Sequence, residues 1–283
     1  MSDFVQQQGT CCQFIGNDSW VILSAIEQSI KRKIEAVGTP LRDWEINIYR
    51  GVLTGYNEAF IVDTAKRDEI LDNCKTEDER KRTAELIRPI LRGRDIKRYG
   101  YDWAGLWLIA TFPARHYDIE KYPAVKEYLL SIGIEKLEQT GKTHIVNGKT
   151  TKARKKTNNK WFETQDSISY WDDFSKPKIV YREIGVEMDA CMVPSDWMIN
   201  NKLYMITGNH LQHLLNYLNS KVFNRIILQS ANVTGGKGVD FMAEIRVPLP
   251  NQCNLQCKEN DVDSVLNRYY ALSSEEISFI DAQ

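Results

Sequence analysis

The chain has 283 residues, of which 42% are hydrophobic and 27% charged. This is enough apolar material to bury a core in one large domain or two small ones, and no apolar run reaches the about 18 residues that a membrane span needs. A formal net charge of −1 excludes a uniformly basic nucleic-acid binder, so any such contact must come from cations that are unevenly placed.

Residues 1–17 are polar, and they lack a basic segment followed by an apolar one, so no secretory signal is expected. Six cysteines (Cys11, Cys12, Cys74, Cys191, Cys253 and Cys257) are scattered rather than arranged as a disulfide framework. That pattern predicts reduced thiols in a cytoplasmic protein with no membrane partner.

A helix is predicted from Ser19. Trp20, Leu23, Ile26, Ile30, Ile34 and Val37 recur at three- and four-residue steps, and Gly38 and Pro40 end the pattern. Ile46 and Ile48 alternate with polar residues as in a half-buried strand, and Phe60 to Val62 forms a second strand. A hairpin-like loop, Gly51-Val-Leu-Thr-Gly-Tyr-Asn-Glu, lies between them.

Residues 66–88 are charged and helix-prone up to Pro89, and a basic stretch runs from Arg92 to Arg98. Leu106 to Phe112 reads as a buried strand. Tyr122 to Leu130 reads as a helix opened by Pro123. Residues 140–160 read as a long polar loop. Strands follow at Lys178–Arg182 and Leu203–Ile206, and Asn209 is placed as the cap of a helix carrying Leu211, Leu214, Leu215, Leu218, Val222 and Ile226. A turn-rich loop, Ala231 to Gly238, precedes a closing strand from Ile245 to Leu249. A helix from Val262 to Tyr270 follows, then a final helix opened by Ser273 and Glu276 at capping-box spacing. Helices and strands do not alternate regularly, so the class is α+β, with mixed sheets, long surface loops and amphipathic helices.

The loop 140–160 concentrates Lys142, Lys149, Lys152, Arg154, Lys155, Lys156 and Lys160 with no acid, beside Asn158, Asn159 and Trp161. Clustered cations bind DNA phosphates by releasing counterions, and Asn and Arg can pair with base edges. A solvated surface loop has the same composition. Arg92, Arg94, Lys97 and Arg98 fit a phosphate contact, or a structural turn in which Asp95 pairs an arginine. Asp95-Ile96-Lys97 also matches the tail of a metal-dependent nuclease motif, but a second carboxylate on a neighbouring strand is missing.

Thr54, Tyr56 and Asn57 sit at a loop tip, where they could meet a base or simply form the turn. Lys237 lies in Thr234-Gly-Gly-Lys-Gly, which is a turn or a phosphate-backbone contact and lacks the ending of a P-loop. His210 and His213, with Cys253 and Cys257, offer four zinc ligands. The histidines are placed on the polar side of their helix, where solvent exposure is the simpler reading. No methyltransferase, hydrolase or other catalytic motif stands out, and no metal site is assigned.

Several blocks in order resemble the TaqI-like C-terminal specificity domain of adenine-specific DNA methyltransferases and type IIG restriction enzymes. They begin at Gly51-Val-Leu-Thr-Gly-Tyr-Asn-Glu-Ala-Phe-Ile-Val-Asp, Arg88-Pro-Ile-Leu-Arg-Gly-Arg-Asp-Ile-Lys-Arg-Tyr and Tyr122-Pro-Ala-Val-Lys-Glu-Tyr-Leu. Trp161 with Lys176-Pro-Lys-Ile-Val-Tyr, Leu214-Leu-Asn-Tyr-Leu-Asn-Ser-Lys and Tyr269-Tyr-Ala-Leu-Ser-Ser-Glu-Glu-Ile continue the series.

The resemblance implies a target recognition domain for duplex DNA over residues 18–250, after a flexible segment 1–17. Residues 251–283 would be a linker and helical tail packed on it. It implies a catalytic methyltransferase domain or subunit as partner, with or without an endonuclease. S-adenosylmethionine, and magnesium where cleavage is added, would belong to those catalytic domains and no cofactor to this chain. Loop 142–160 becomes the candidate for base readout, and Arg92, Arg94, Lys97 and Arg98 candidates for the DNA backbone. The shared block Gly51–Asn57 is then better read as structural, because readers of different sequences cannot all read bases with the same residues. The alternative is a protein-interaction module whose helices 19–37 and 209–228 dock catalytic or partner subunits, and an exposed apolar stripe on either helix, with no basic groove nearby, would mark it.

Overall fold

The computed structural model describes residues 23–146, 148–182, 187–228 and 239–282. Helix α1 (Ala25–Val37) starts at Ser24, whose backbone N–H donates to the Glu27 carboxylate while its hydroxyl accepts from Glu27 N–H. The expected start at Ser19 lies outside the described residues. Strands β1 (Thr39–Pro40) and β2 (Ile46–Arg50), helix α2 (Asn57–Phe60) and strand β3 (Ile61–Asp63) follow.

The helix-prone stretch 66–88 is two helices, α3 (Thr64–Asp72) and α4 (Glu77–Leu86), because Asp63 and Thr76 each cap a separate first turn by accepting from a backbone N–H. Its end is strand β4 (Ile87–Leu91), which the sequence pattern does not predict. Short strands β5 (Ile96–Lys97) and β6 (Gly100–Tyr101), strand β7 (Leu106–Ile109), α5 (Pro123–Ile132) and α6 (Ile134–Leu137) come next.

The expected long loop 140–160 instead contains a hairpin, β8 (Thr143–Val146) and β9 (Lys149–Lys152). Then come β10 (Lys178–Arg182), β11 (Ala190–Val193), β12 (Met198–Ile199), β13 (Leu203–Gly208) and α7 (Leu211–Leu218). A π-helical turn (Phe223–Ile227), α8 (Val239–Glu244), β14 (Arg246–Val247), α9 (Val262–Tyr269) and α10 (Ser274–Ala282) complete the chain.

One antiparallel sheet, in the order β11-β10-β13-β2, divides the molecule. Successive side chains on a strand point to opposite faces. Ile179, Tyr181, Ala190, Tyr204 and Ile206 therefore enter one core with Ile30 and Ile34 of α1 and Leu214 and Leu218 of α7. Val180, Cys191, Val193, Leu203 and Met205 enter the other, with Phe60, Leu108, Val125 and Phe174. Burial on both faces is why β10 and β13 are near-continuous apolar runs.

Lys178 is the charged exception. It is fully buried, and its Nζ donates to the carbonyls of Phe174 and Pro194, each at 3.0 Å, while burial pushes the ammonium down to about 8.

A second sheet, β12-β4-β7-β3, backs the other core, with β12 parallel to β4. Pro89 is tolerated inside β4 because pairing with β12 begins only at Ile90, so the missing N–H leaves no ladder bond unmade.

Two other expectations change. Asn209 does not cap α7: its amide donates to the Glu45 carboxylate at 2.7 Å, and the helix starts after His210 with no side-chain cap. The closing strand shrinks to β14, which pairs with β1. The capping box of Ser273 and Glu276 is present in the final helix. Leu255, Val262, Leu266, Tyr270 and Ile280 all lie in the core of α1 and α7. Among the described residues no helix is long and apolar enough to cross a membrane.

Candidate nucleic-acid interface

The β8–β9 hairpin pairs Thr143 with Lys152, His144 with Thr151, Ile145 with Thr150 and Val146 with Lys149. Gly148, at φ +74°, supplies the left-handed backbone that its turn requires. Cross-strand partners share a face. Thr143, Ile145, Thr150 and Lys152 form one face and are all exposed, whereas His144, Val146 and Thr151 on the other are half-buried. The inner face leans on the body of the protein, where His144 Nε2 lies 3.6 Å from the Glu138 carboxylate. The hairpin's root is closed by Gly141 N–H donating to Arg154 O and Ala153 N–H donating to Lys142 O.

Arg154 leaves the set of candidate DNA contacts. It is 4% exposed, and its guanidinium is consumed by backbone carbonyls. Nε and Nη2 donate to Leu137 O, Nη1 to Thr54 O and Glu163 O, and Nη2 to Trp161 O, at 2.6 to 2.9 Å. Burial lowers its pKa to about 10. Arg154 thus ties the hairpin root to the loop around Thr54.

That loop is also internal in its bonding. Thr54 is 1% exposed, donates its hydroxyl to Asn57 Oδ1 and accepts from Tyr56 N–H. Tyr56 packs against the core. The glycines of the block have steric reasons. A Cβ on Gly51 would collide with Asn200 O, and one on Gly55, at φ +78°, would lie 3.0 Å from Arg154 Cδ.

The remaining cations of the segment, Lys142, Lys149, Lys152, Lys155, Lys156 and Lys160, are all exposed, as is Asn158. Among the described residues no carboxylate oxygen lies within 4 Å of any of these six ammonium groups. Asn159 differs: its amide donates to Thr164 O and Gln165 O, so it braces the loop.

In the second basic stretch Arg92 is tied to the buried Asp95 through two guanidinium nitrogens, at 3.1 and 2.9 Å. That pairing is the structural-turn alternative, and it occupies the carboxylate that a nuclease would need. Arg94, Lys97 and Arg98 are exposed. Lys97 Nζ lies 3.9 Å from the Asp102 carboxylate, and Arg98 lies over the Tyr99 ring. Lys237 lies outside the described residues.

Two exposed cations with no sequence signal join these segments. Arg50 and Lys202 are far apart in the chain, but β2 and β13 pair, and Arg50 Nε donates to Asn201 O at 3.0 Å. Lys202 lies beside Gly93. Asn200 N–H donates to Leu91 O, and Val52 O accepts from Asn201 N–H. Arg50 and Lys155 both act on Asp166, whose carboxyl burial pushes up. Basic turn 92–94, turn 199–203, loop 50–54 and the hairpin root are therefore consecutive along one bonded edge.

The zinc alternative fails at His213. It is buried rather than on a polar face. Its Nε2 is 2.8 Å from Pro248 O, and its Nδ1 accepts from Leu255 N–H, which leaves no lone pair for a metal.

The family of TaqI-like C-terminal specificity domains matches residues 88–239. The chain belongs to this family. The matched span contains both basic segments, while the Gly51 and Tyr269 blocks lie outside it. No curated protein matches the chain in sequence.

Among solved structures, the type IIG restriction endonuclease BpuSI is similar with a TM-score of 0.50 and 12% identity, over 91% of this chain and 31% of that one. The type IIL restriction-modification enzyme MmeI, solved in complex with DNA, has a TM-score of 0.46 and 10% identity, over 86% of this chain and 36% of that one. This specificity domain therefore spans about a third of the length of each. The likeness to BpuSI is one of fold.

Proposed function

We propose that this specificity domain binds duplex DNA and selects a short sequence for a restriction-modification enzyme. The observation that carries the reading is the cluster of six exposed ammonium groups in a segment, 140–160, that contains no acid, on a chain whose net charge is −1. Phosphates are the partner that such a surface fits, since each neutralised phosphate releases condensed counterions. Arg50, Arg94 and Lys202 extend the surface along the bonded edge.

Adenine methylation, with S-adenosylmethionine, is assigned to a domain or subunit outside this chain, and magnesium-dependent cleavage likewise where the parent enzyme cleaves. The docking-module alternative loses its main support. Ile30 and Ile34 of α1, and Leu214, Leu215 and Leu218 of α7, are at most 3% exposed, so the centre of each apolar stripe already forms the core, and Val37 at the end of α1 is the exposed member among the described residues.

The test is binding to a randomised duplex pool at low and moderate salt, with Lys152→Ala/Lys155→Ala/Lys156→Ala beside the wild type. A short enriched motif is expected. The triple variant should bind more weakly, its salt slope reduced by about 0.9 for each phosphate that it no longer neutralises. Unchanged affinity and slope would remove the hairpin root from the interface.

A further inference from the structure

We propose that Ile145 is a base-reading residue that packs against the 5-methyl group of a thymine in the DNA major groove. This rests on the DNA-binding reading above and adds a residue, a groove and a base to it.

Ile145 is 81% exposed, against 42% for Val37 and Leu130. A large β-branched side chain left in water forgoes the stabilisation that burial would bring. Its position is no accident of a frayed loop, because it sits in the middle of a ladder, opposite Thr150. The pleat turns it to the same face as Thr143 and Lys152, away from the body of the protein.

Charge selects the occupant of that face. Lys152 shares it, Lys142 and Lys149 are exposed on the same two strands, and Lys155, Lys156 and Lys160 are exposed in the stretch that follows, with no acid in the segment. A polyanion complements this and an ordinary protein surface does not. The shape agrees, since a two-stranded ribbon fits the major groove of B-DNA. Within that groove the thymine 5-methyl is the apolar group presented on a base edge, and the minor groove offers none. An isoleucine at the centre of a cationic ribbon therefore has one matching target. Lys152 on the same face is placed to donate to a neighbouring base or phosphate.

The test uses the full chain and the duplex it prefers, found by selection from the randomised pool. Each thymine in that site is replaced in turn by deoxyuridine, which removes only the methyl. One replacement is expected to weaken wild-type binding about four-fold, the worth of one buried methyl group. Ile145→Ala should bind the thymine and uracil duplexes equally at that position, with the salt slope of the wild type. Lys152→Ala should keep the discrimination. Because Ile145 is so exposed, alanine leaves no cavity, and an unchanged thermal midpoint verifies this.

If Ile145→Ala still prefers thymine to uracil wherever the wild type does, the assignment is overturned and DNA reading stands. The same follows if no uracil replacement matters, or if Ile145→Ala weakens every duplex alike, as an intercalating wedge would. If the wild type enriches no motif, the DNA-reading proposal itself fails, and this one fails with it.

Discussion

Arg154 and Lys152 are two residues apart, and the structure gives them opposite tasks. Arg154 is buried and donates five hydrogen bonds to four carbonyls, whereas Lys152 is exposed. Arg154→Ala strands those carbonyls away from water and opens a cavity against the face of the Phe60 ring, over which the guanidinium sits. The variant is expected to lose about 3 kcal/mol or more in urea unfolding. Arg154→Lys should recover only part, because an ammonium has three donors on a flexible stem in place of a planar fork. Lys152→Ala should leave stability within about 0.5 kcal/mol of the wild type. Equal effects of the two alanines on stability would contradict the anchoring role of Arg154.

At the scale of elements, the last helix is held to the first by one carboxylate. Glu276 accepts from Ser273 N–H within its own capping box, and from Lys33 Nζ at 2.7 Å and Ser29 Oγ at 2.8 Å on α1. Burial opposes its charge, but these donors prevail and hold the carboxyl down to about 2. The folded value lies below the unfolded one, so the stabilisation is fully present above the unfolded carboxylate range and is lost as pH falls toward about 2. Glu276→Gln should therefore be less stable than the wild type near neutral pH, by about 1 kcal/mol or more, and the gap should close as pH falls from about 4.5 to about 2. Urea midpoints of the two proteins across that range measure it, and a gap independent of pH would rule out the charged form as the source.

For the molecule as a whole, the consequence of a shared sheet is cooperativity. Adjacent residues of one strand, Ile179 and Val180, serve different cores. Neither core can lose its wall without exposing the other. Leu218→Ala, in the core of α1 and α7, should cost about 2 to 5 kcal/mol. It should also lower the unfolding midpoint reported by tryptophan fluorescence, to which Trp103, Trp107 and Trp197 near the opposite core contribute, together with that of far-ultraviolet circular dichroism. Two separated transitions would mean that the sheet does not couple the halves.

Local patterns, read from the sequence alone, were sufficient for the α+β class, the apolar stripes of α1 and α7, the proline-opened α5, the final capping box and the family. The stripes and caps depend on residues within a few positions of one another, where periodicity and capping act, and the class and the family on the order of such local blocks along the chain. The acid-free run of cations was also legible, since charge is composition. What only tertiary structure decided is which of the candidate contact residues are taken up by the protein's own groups. Arg154 is withdrawn by carbonyls of Thr54 and Leu137, Asn159 by those of Thr164 and Gln165, and Arg92 by Asp95. Arg50 and Lys202 are brought together by strand pairing across 152 positions of chain. Ile145 and Val146 are adjacent apolar residues in a polar segment, too short a pair to show a periodicity, and only the register of the hairpin shows that Val146 faces the body of the protein and Ile145 faces outward. A side chain's chemistry is local, but its solvation is set by whatever the rest of the chain places against it.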